Sequence, residues 1–227
     1  MKIRILSTVI AMMAVCMNAD AQGASNLFAS FSPMAGTYPT IHYSPDRFTY
    51  KYKNFWLASI GYSNDMKSGR DKQKKLSWGP SVLTELTYGQ AKYDQMDFKG
   101  IPSFFDSTPG DLSFYSWNGY LGYHITKSRV GISALIGPGF SYMHSGPFHN
   151  LFISPCAKVR LKAYVTNKIG LFVGGGARYD IGFKDMFSSV SVGTADDGSD
   201  TGGPYRIGNP MWNLEAGIVL SMGAFYN

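Results

Sequence analysis

From Tyr115 onward, apolar and small or polar residues alternate with a period of two. Tyr115, Trp117, Leu121, Tyr123 and Ile125 share one parity, and Ser116, Asn118, Gly122, His124 and Thr126 fill most of the other. After Lys127-Ser128-Arg129 the alternation resumes with Val130, Ile132, Ala134, Ile136, Pro138, Phe140 and Tyr142. A period of two places successive side chains on opposite faces of a strand. Further strands follow at 151–165, where Lys158, Arg160 and Lys162 oppose Val159 and Leu161, at 169–183, and at 212–222. Upstream, 76–93 and 47–63 fit the same pattern. In the latter Phe48, Tyr50, Tyr52, Trp56, Ala58, Ile60 and Tyr62 are expected on one face. A first strand near 26–32 makes eight, and no stretch shows a convincing helical period.

One apolar face suits a soluble sandwich as well as a membrane barrel. Three features favour the barrel. Several strands run about 14 residues, beyond the usual globular length and enough for a tilted bilayer crossing. Tight turns at 127–129 and 166–168 alternate with longer loops at 94–111, 144–150 and 184–210, the hairpin rhythm of an outer-membrane barrel. Finally, Tyr115, Trp117, Phe140, Tyr142, Tyr179, Phe183 and Trp212 fall near the loop end of their strands, where an aromatic girdle is expected at the lipid–water boundary. The expectation is an all-β, transmembrane, antiparallel up-and-down barrel of eight strands.

The first residues name the compartment. Lys2 and Arg4 precede an apolar stretch from Ile5 to Met17, and Ala19-Asp20-Ala21 follows. That order describes a secretory signal peptide over 1–21 cut before Gln22, leaving 22–227 as one barrel domain. The apolar stretch falls short of the roughly 20 residues of a membrane-spanning helix. A lipidated Cys16 is the rival reading, but Val15 stands where lipoprotein signals carry Gly, Ala or Ser.

The whole chain has 21 Lys+Arg and 15 Asp+Glu; removal of Lys2, Arg4 and Asp20 leaves 19 and 14, a net +5. This mild basicity suits contact with lipid phosphates and forms no clustered nucleic-acid stripe. Cys156 becomes the sole cysteine, which excludes an internal disulfide and multi-cysteine zinc sites.

The leader, the C-terminal strand ending near Phe225-Tyr226 and the glycine-rich amphipathic hairpins resemble the outer-membrane β-barrel superfamily, most in style the small OmpA, OmpX and PorT kinds. The resemblance covers roughly 47–227, and the long turn Asn64 to Lys75 departs from it. It implies residence in a Gram-negative outer membrane among lipid and lipopolysaccharide, and envelope or secretion-system proteins as partners. It implies neither nucleic acid nor a cofactor.

An eight-stranded barrel encloses an interior that side chains can fill. Glu85, Lys158, Arg160, Lys162, Arg178, Asp180 and Glu215 are expected to face inward and to pair, since an unpaired charge there is costly. A structural plug is preferred to a narrow pore or binding lumen. His42, Ser44, His144 and Ser145 resemble the His and Ser of membrane lipid A hydrolases, but no orienting carboxylate accompanies them. His144 and Ser145 should also point apart on a strand. Ordinary loop residues are the preferred reading, so no catalytic residue is assigned. Lys67, Arg70, Lys72, Lys74 and Lys75 read as a solvated turn with lipid phosphates or a protein partner as the alternative, Gly174-Gly175-Gly176 as close strand packing or a bend, and the acidic run 195–200 as a surface loop in preference to a calcium site.

Overall fold

The computed structural model describes residues 23–33, 35–36, 41–43, 48–98, 110–145, 148–182 and 208–222. The leader, Cys16, Ser44, Phe183, the acidic run 195–200 and the C-terminal Phe225-Tyr226 lie outside them.

Long alternating segments bury one face and leave their backbone groups to neighbouring strands, and here each strand pairs with the next until the sheet closes. The strands are β1 (Gly23–Ser32), β2 (Ala35–Gly36), β3 (Ile41–Tyr43), β4 (Phe48–Met66), β5 (Gly69–Asp71), β6 (Leu76–Phe98), β7 (Leu112–Lys127), β8 (Val130–Ser145), β9 (Phe148–Tyr164), β10 (Ile169–Gly182) and β11 (Gly208–Ser221). Eight form a ring in the order β1-β4-β6-β7-β8-β9-β10-β11, all antiparallel. β1 closes it by pairing with β11, Phe28 opposite Val219. The short β2, β3 and β5 add to β11, β4 and β6. The ring is thus an eight-stranded up-and-down barrel, with no sheet edge along its paired length.

Three expected details change. The strand expected at 130–143 continues to Ser145 and the next begins at Phe148. The loop expected at 144–150 therefore shrinks to two connecting residues, because Ser145 pairs with Phe148. Half of the long segment 64–75 is strand: β4 runs on to Met66, and β5 folds back on β6 with Gly69 opposite Trp78. This segment lies at the end of the tight turns, since the Ser128 amide donates to the Lys75 carbonyl at 2.9 Å. We call this the turn end, and the opposite one the loop end.

The third change is in β4, whose parity does not hold from Phe48 to Tyr62. The register against β6 shifts between Lys51 and Tyr52 and again between Lys53 and Trp56. Asn54 takes a left-handed φ of 54° at this bulge, a conformation that asparagine tolerates better than most residues. The extra residues turn Tyr52 and Phe55 inward, both buried, while Ala58 and Ile60 keep the expected outer side.

Outside, the wall is apolar around the ring. Ile136 is 70% exposed and Leu214 63%, with Leu121, Val159, Leu161, Leu171 and Ile218 similarly open. Inside, two apolar clusters fill part of the space. One holds Tyr52, Phe55, Leu112, Phe114, Met143 and Phe152 towards the loop end; the other groups Phe28, Leu83, Tyr120, Leu135, Phe172 and Val219. Edge-on ring pairs knit them, Phe55 with Phe114 at 5.8 Å and Phe28 with Phe172 at 5.9 Å between centroids.

Candidate functional site: a buried charge network within the barrel

β9 carries Lys158, Arg160 and Lys162 at alternate positions, so strand geometry sends all three cations into the interior. Their counter-ions come from other strands. Lys158 Nζ lies 2.6 Å from Glu85 Oε2 on β6 and 3.4 Å from Glu215 Oε2 on β11. Arg160 donates from Nε to Glu215 Oε1 at 2.7 Å and from an Nη to Glu85 Oε2 at 3.1 Å. Both carboxylates therefore bridge both cations. The remaining oxygen valences are also used: Ser30 donates to Glu215, and Asn118 and Tyr120 donate to Glu85. The Arg160 guanidinium also sits in the corner of the perpendicular Phe28 and Phe172 rings, 3.9 Å and 4.6 Å from their centroids, a cation–π arrangement shielded from water.

Two smaller groups flank this cluster. Lys162 donates to Asp65 on β4 at 2.8 Å, and Ser81 donates to the second oxygen of the same carboxylate at 2.6 Å. Arg178 pairs along β10 with Asp180, Nε to Oδ1 at 2.8 Å, and its Nη atom reaches the hydroxyls of Ser141 and Ser154 at 2.8 Å each. Arg178 also lies over the Phe114 ring.

All seven inward charges expected from the alternation thus lie inside the ring, Arg178 the least buried. Asp65 is the eighth, and it balances the ledger at four acids against four bases. It escaped the sequence reading because it sits in the segment taken as a turn, although it shares parity with Ser63 and Ser59 on β4. The inner glycines have a matching role. A Cβ on Gly174 would come within 2.7 Å of the Val159 carbonyl and 3.1 Å of Glu215 Oε1, so the bare backbone there makes room for the Arg160–Glu215 pair. A cavity beside Glu85, Lys158 and Arg178 measures about 30 Å³, room for roughly one or two waters.

On the outer wall Tyr115, Trp117, Phe140, Tyr179 and Trp212 are exposed and Tyr142 half-exposed. They join a wider aromatic band that alternation alone did not single out: Phe31, Trp56, Tyr88, Tyr115 and Tyr142 follow one another around five neighbouring strands, with centroids 5.1 to 6.4 Å apart. Trp117 stacks on Phe140 at 5.7 Å.

His144 and Ser145 point to opposite sides of β8, His144 outward and Ser145 inward. The Ser145 hydroxyl accepts from Tyr52 at 2.8 Å and donates to the Gly110 carbonyl at 2.6 Å, which fixes it as a strut of the loop-end cluster. These two residues do not form a nucleophile–base pair, and the side chain of His42 lies outside the described residues.

No family model matches the chain, and no curated protein matches it in sequence. Among solved structures it is similar to Ail, the attachment invasion locus protein of Yersinia pestis, at 11% identity over 88% of this chain and 97% of that one, with a TM-score of 0.40.

Proposed function

We propose that the protein is an integral barrel of a Gram-negative outer membrane, exported with a leader cut before Gln22, surrounded by lipid and lipopolysaccharide, and closed to solutes. On this reading it is not an enzyme. It serves the envelope through its loop end, in surface integrity, adhesion or the assembly of envelope and secretion proteins. One observation carries the proposal: a closed ring sorts its side chains by face, with an apolar wall outside and a balanced set of four acids and four bases inside. A water-soluble protein would need the opposite arrangement, because open leucines and isoleucines around a whole circumference cost about 25 cal/mol per Å² of exposed apolar area. In lipid the same wall is at home, and ring closure leaves no strand edge to satisfy.

The charge network supports the closed state. Cations of β9 meet carboxylates of β4, β6 and β11, so the ion pairs span the lumen and occupy the space an ion would need. An ion entering would have to break charge-assisted bonds among groups that are almost wholly buried, and each stranded charge is worth several kcal/mol.

Envelope fractionation with a gel-mobility assay tests the first part: the unheated protein should run as a compact band and float with outer membranes. Planar-bilayer recording tests the second, with no steady conductance expected. Recovery in the soluble periplasm would overturn the membrane reading, and a large steady current would overturn closure.

A further inference from the structure

Charge on this barrel is sorted along its axis. The four buried acids balance the four buried bases, so the net charge of the described residues comes from the two ends. At the turn end the β4–β6 connection exposes Lys67, Arg70, Lys72, Lys74 and Lys75. The β7–β8 turn adds Lys127 and Arg129, and the β9–β10 turn adds Lys168. Among the described residues the only carboxylate on this rim is Asp71, 3.8 Å from Lys74. The rim therefore carries eight cations against one acid, a net +7. Among the described residues the other end holds Lys51, Lys53 and Lys92 against Asp94, Asp97 and Asp111, a net of zero. Among the described residues the excess positive charge stands on one rim.

The rim also continues an apolar wall. Trp78 lies half-exposed on the outer side of β6, packed against Gly69 and paired with Gly119's strand through Ile125, and Tyr123 is 47% exposed beside it. Amphipathic rings with long cationic side chains just beyond them suit the depth at which lipid phosphates lie, since Lys and Arg can lay their stems on apolar surface and raise their heads to the phosphates. Anionic leaflets attract basic segments within a Debye length of the surface.

We propose that the turn-end rim binds the phosphate headgroups of anionic phospholipid in the leaflet it faces, gathering such lipid around the barrel and fixing its seat in the membrane. The proposal rests on the membrane reading above and adds a lipid class to it. A solvated turn needs no such bias: three separate hairpin ends contribute cations with one carboxylate among them, whereas the cations described at the opposite end are matched by carboxylates.

Trp78 supplies the probe, because Trp56, Trp117 and Trp212 all lie towards the loop end. In the background W56F/W117F/W212F, the full chain is folded into phosphatidylcholine bilayers containing a small fraction of headgroup-quencher lipid, either phosphatidylglycerol or phosphatidylcholine. Compact gel mobility is recorded on each sample. At low salt the anionic quencher should associate with Trp78 roughly threefold or more over the zwitterionic one. That preference should fall towards unity at about 0.5 M salt. It should also fall in Lys72→Gln/Lys74→Gln/Lys127→Gln/Lys168→Gln, which leaves every buried pair intact. Equal quenching by the two lipids in a compact, inserted barrel overturns the rim proposal and leaves the membrane reading standing. A preference that survives both salt and the quadruple substitution overturns it as well. Failure of the unmodified chain to insert overturns the membrane reading and, with it, the rim.

Discussion

Replacing Glu215 by Gln removes one of four buried carboxylates while keeping its shape. In the native barrel Glu215 takes Arg160 Nε at 2.7 Å, Lys158 at 3.4 Å and the Ser30 hydroxyl at 3.0 Å. Arg160 is 1% exposed, so it has no route to water when its partner is neutralised. Glu85 then faces two cations alone, and the interior carries one uncompensated positive charge. Breaking a buried pair by removing one partner costs about 3–5 kcal/mol. The amide oxygen of Gln still accepts from Arg160, so we expect the lower end, about 3 kcal/mol. Asp94→Asn provides the control: Lys53 and Asp94 are also 2.7 Å apart, but both are 40% or more exposed, and such pairs contribute about 0–1 kcal/mol. Urea unfolding from lipid vesicles, followed by tryptophan emission and gel mobility, gives both values. Glu215→Gln combined with Lys158→Met should recover part of the loss, because the excess charge is then gone. A cost below about 1 kcal/mol, or strict additivity of the two changes, would refute the view that these charges act as one network.

Leu161→Arg places a charge on the outer wall near mid-strand and should cost about 2–4 kcal/mol in the same vesicle assay, whereas Leu161→Ile should fold in normal yield. Gly217→Leu should largely abolish folding, since even a Cβ there would meet the Ala29 carbonyl at 2.2 Å and the Phe172 ring at 2.6 Å, as refolding yields will tell. At the β4 bulge, Asn54→Gly should leave stability within a few tenths of a kcal/mol and Asn54→Val should lose about 1–3 kcal/mol, measured as a shift in urea midpoint.

How legible the barrel was in its sequence depended on whether the two faces of a strand differ. Along 115–126 and 151–165 apolar residues face out while serine, asparagine and the β9 cations face in, so period two is clear and the pairing follows. Near the loop end the inner face is apolar too. Tyr52, Phe55, Leu57, Leu112 and Phe114 point inward beside outward aromatics, and with both faces alike the alternation fades. That is why the bulge at Asn54 escaped notice and an unbroken parity was expected there. The 64–75 segment misled for another reason: its five cations suit a solvated turn, and nothing local reveals that Asp65 is held by Lys162, 97 residues away. The β8–β9 hairpin reads as a loop because Gly146 and Pro147 punctuate it, although pairing persists to Ser145 and Phe148.

The placement of three cations on one strand also bears on how the ring comes to be made. β9 finds no carboxylate on β8 or β10 for Lys158, Arg160 or Lys162; theirs belong to β4, β6 and β11. Hairpins formed locally, β8 with β9 or β9 with β10, hold these charges without a counter-ion, and in an apolar surrounding such a half-built sheet is disfavoured. Neutralisation comes only when other strands arrive, the carboxylate of β4 from 97 residues away in sequence and that of β11 from 55. Bringing those parts together carries the entropy of closing long loops, and no contact repays it before the strands meet. Folding should accordingly be slow and all-or-none, with the last β1–β11 seam and the inner ion pairs forming in a single step. On the proposed membrane reading, a sheet that stays open keeps its cations exposed on the inner side, where they can remain in water, and so has reason to wait at the membrane surface until it can close.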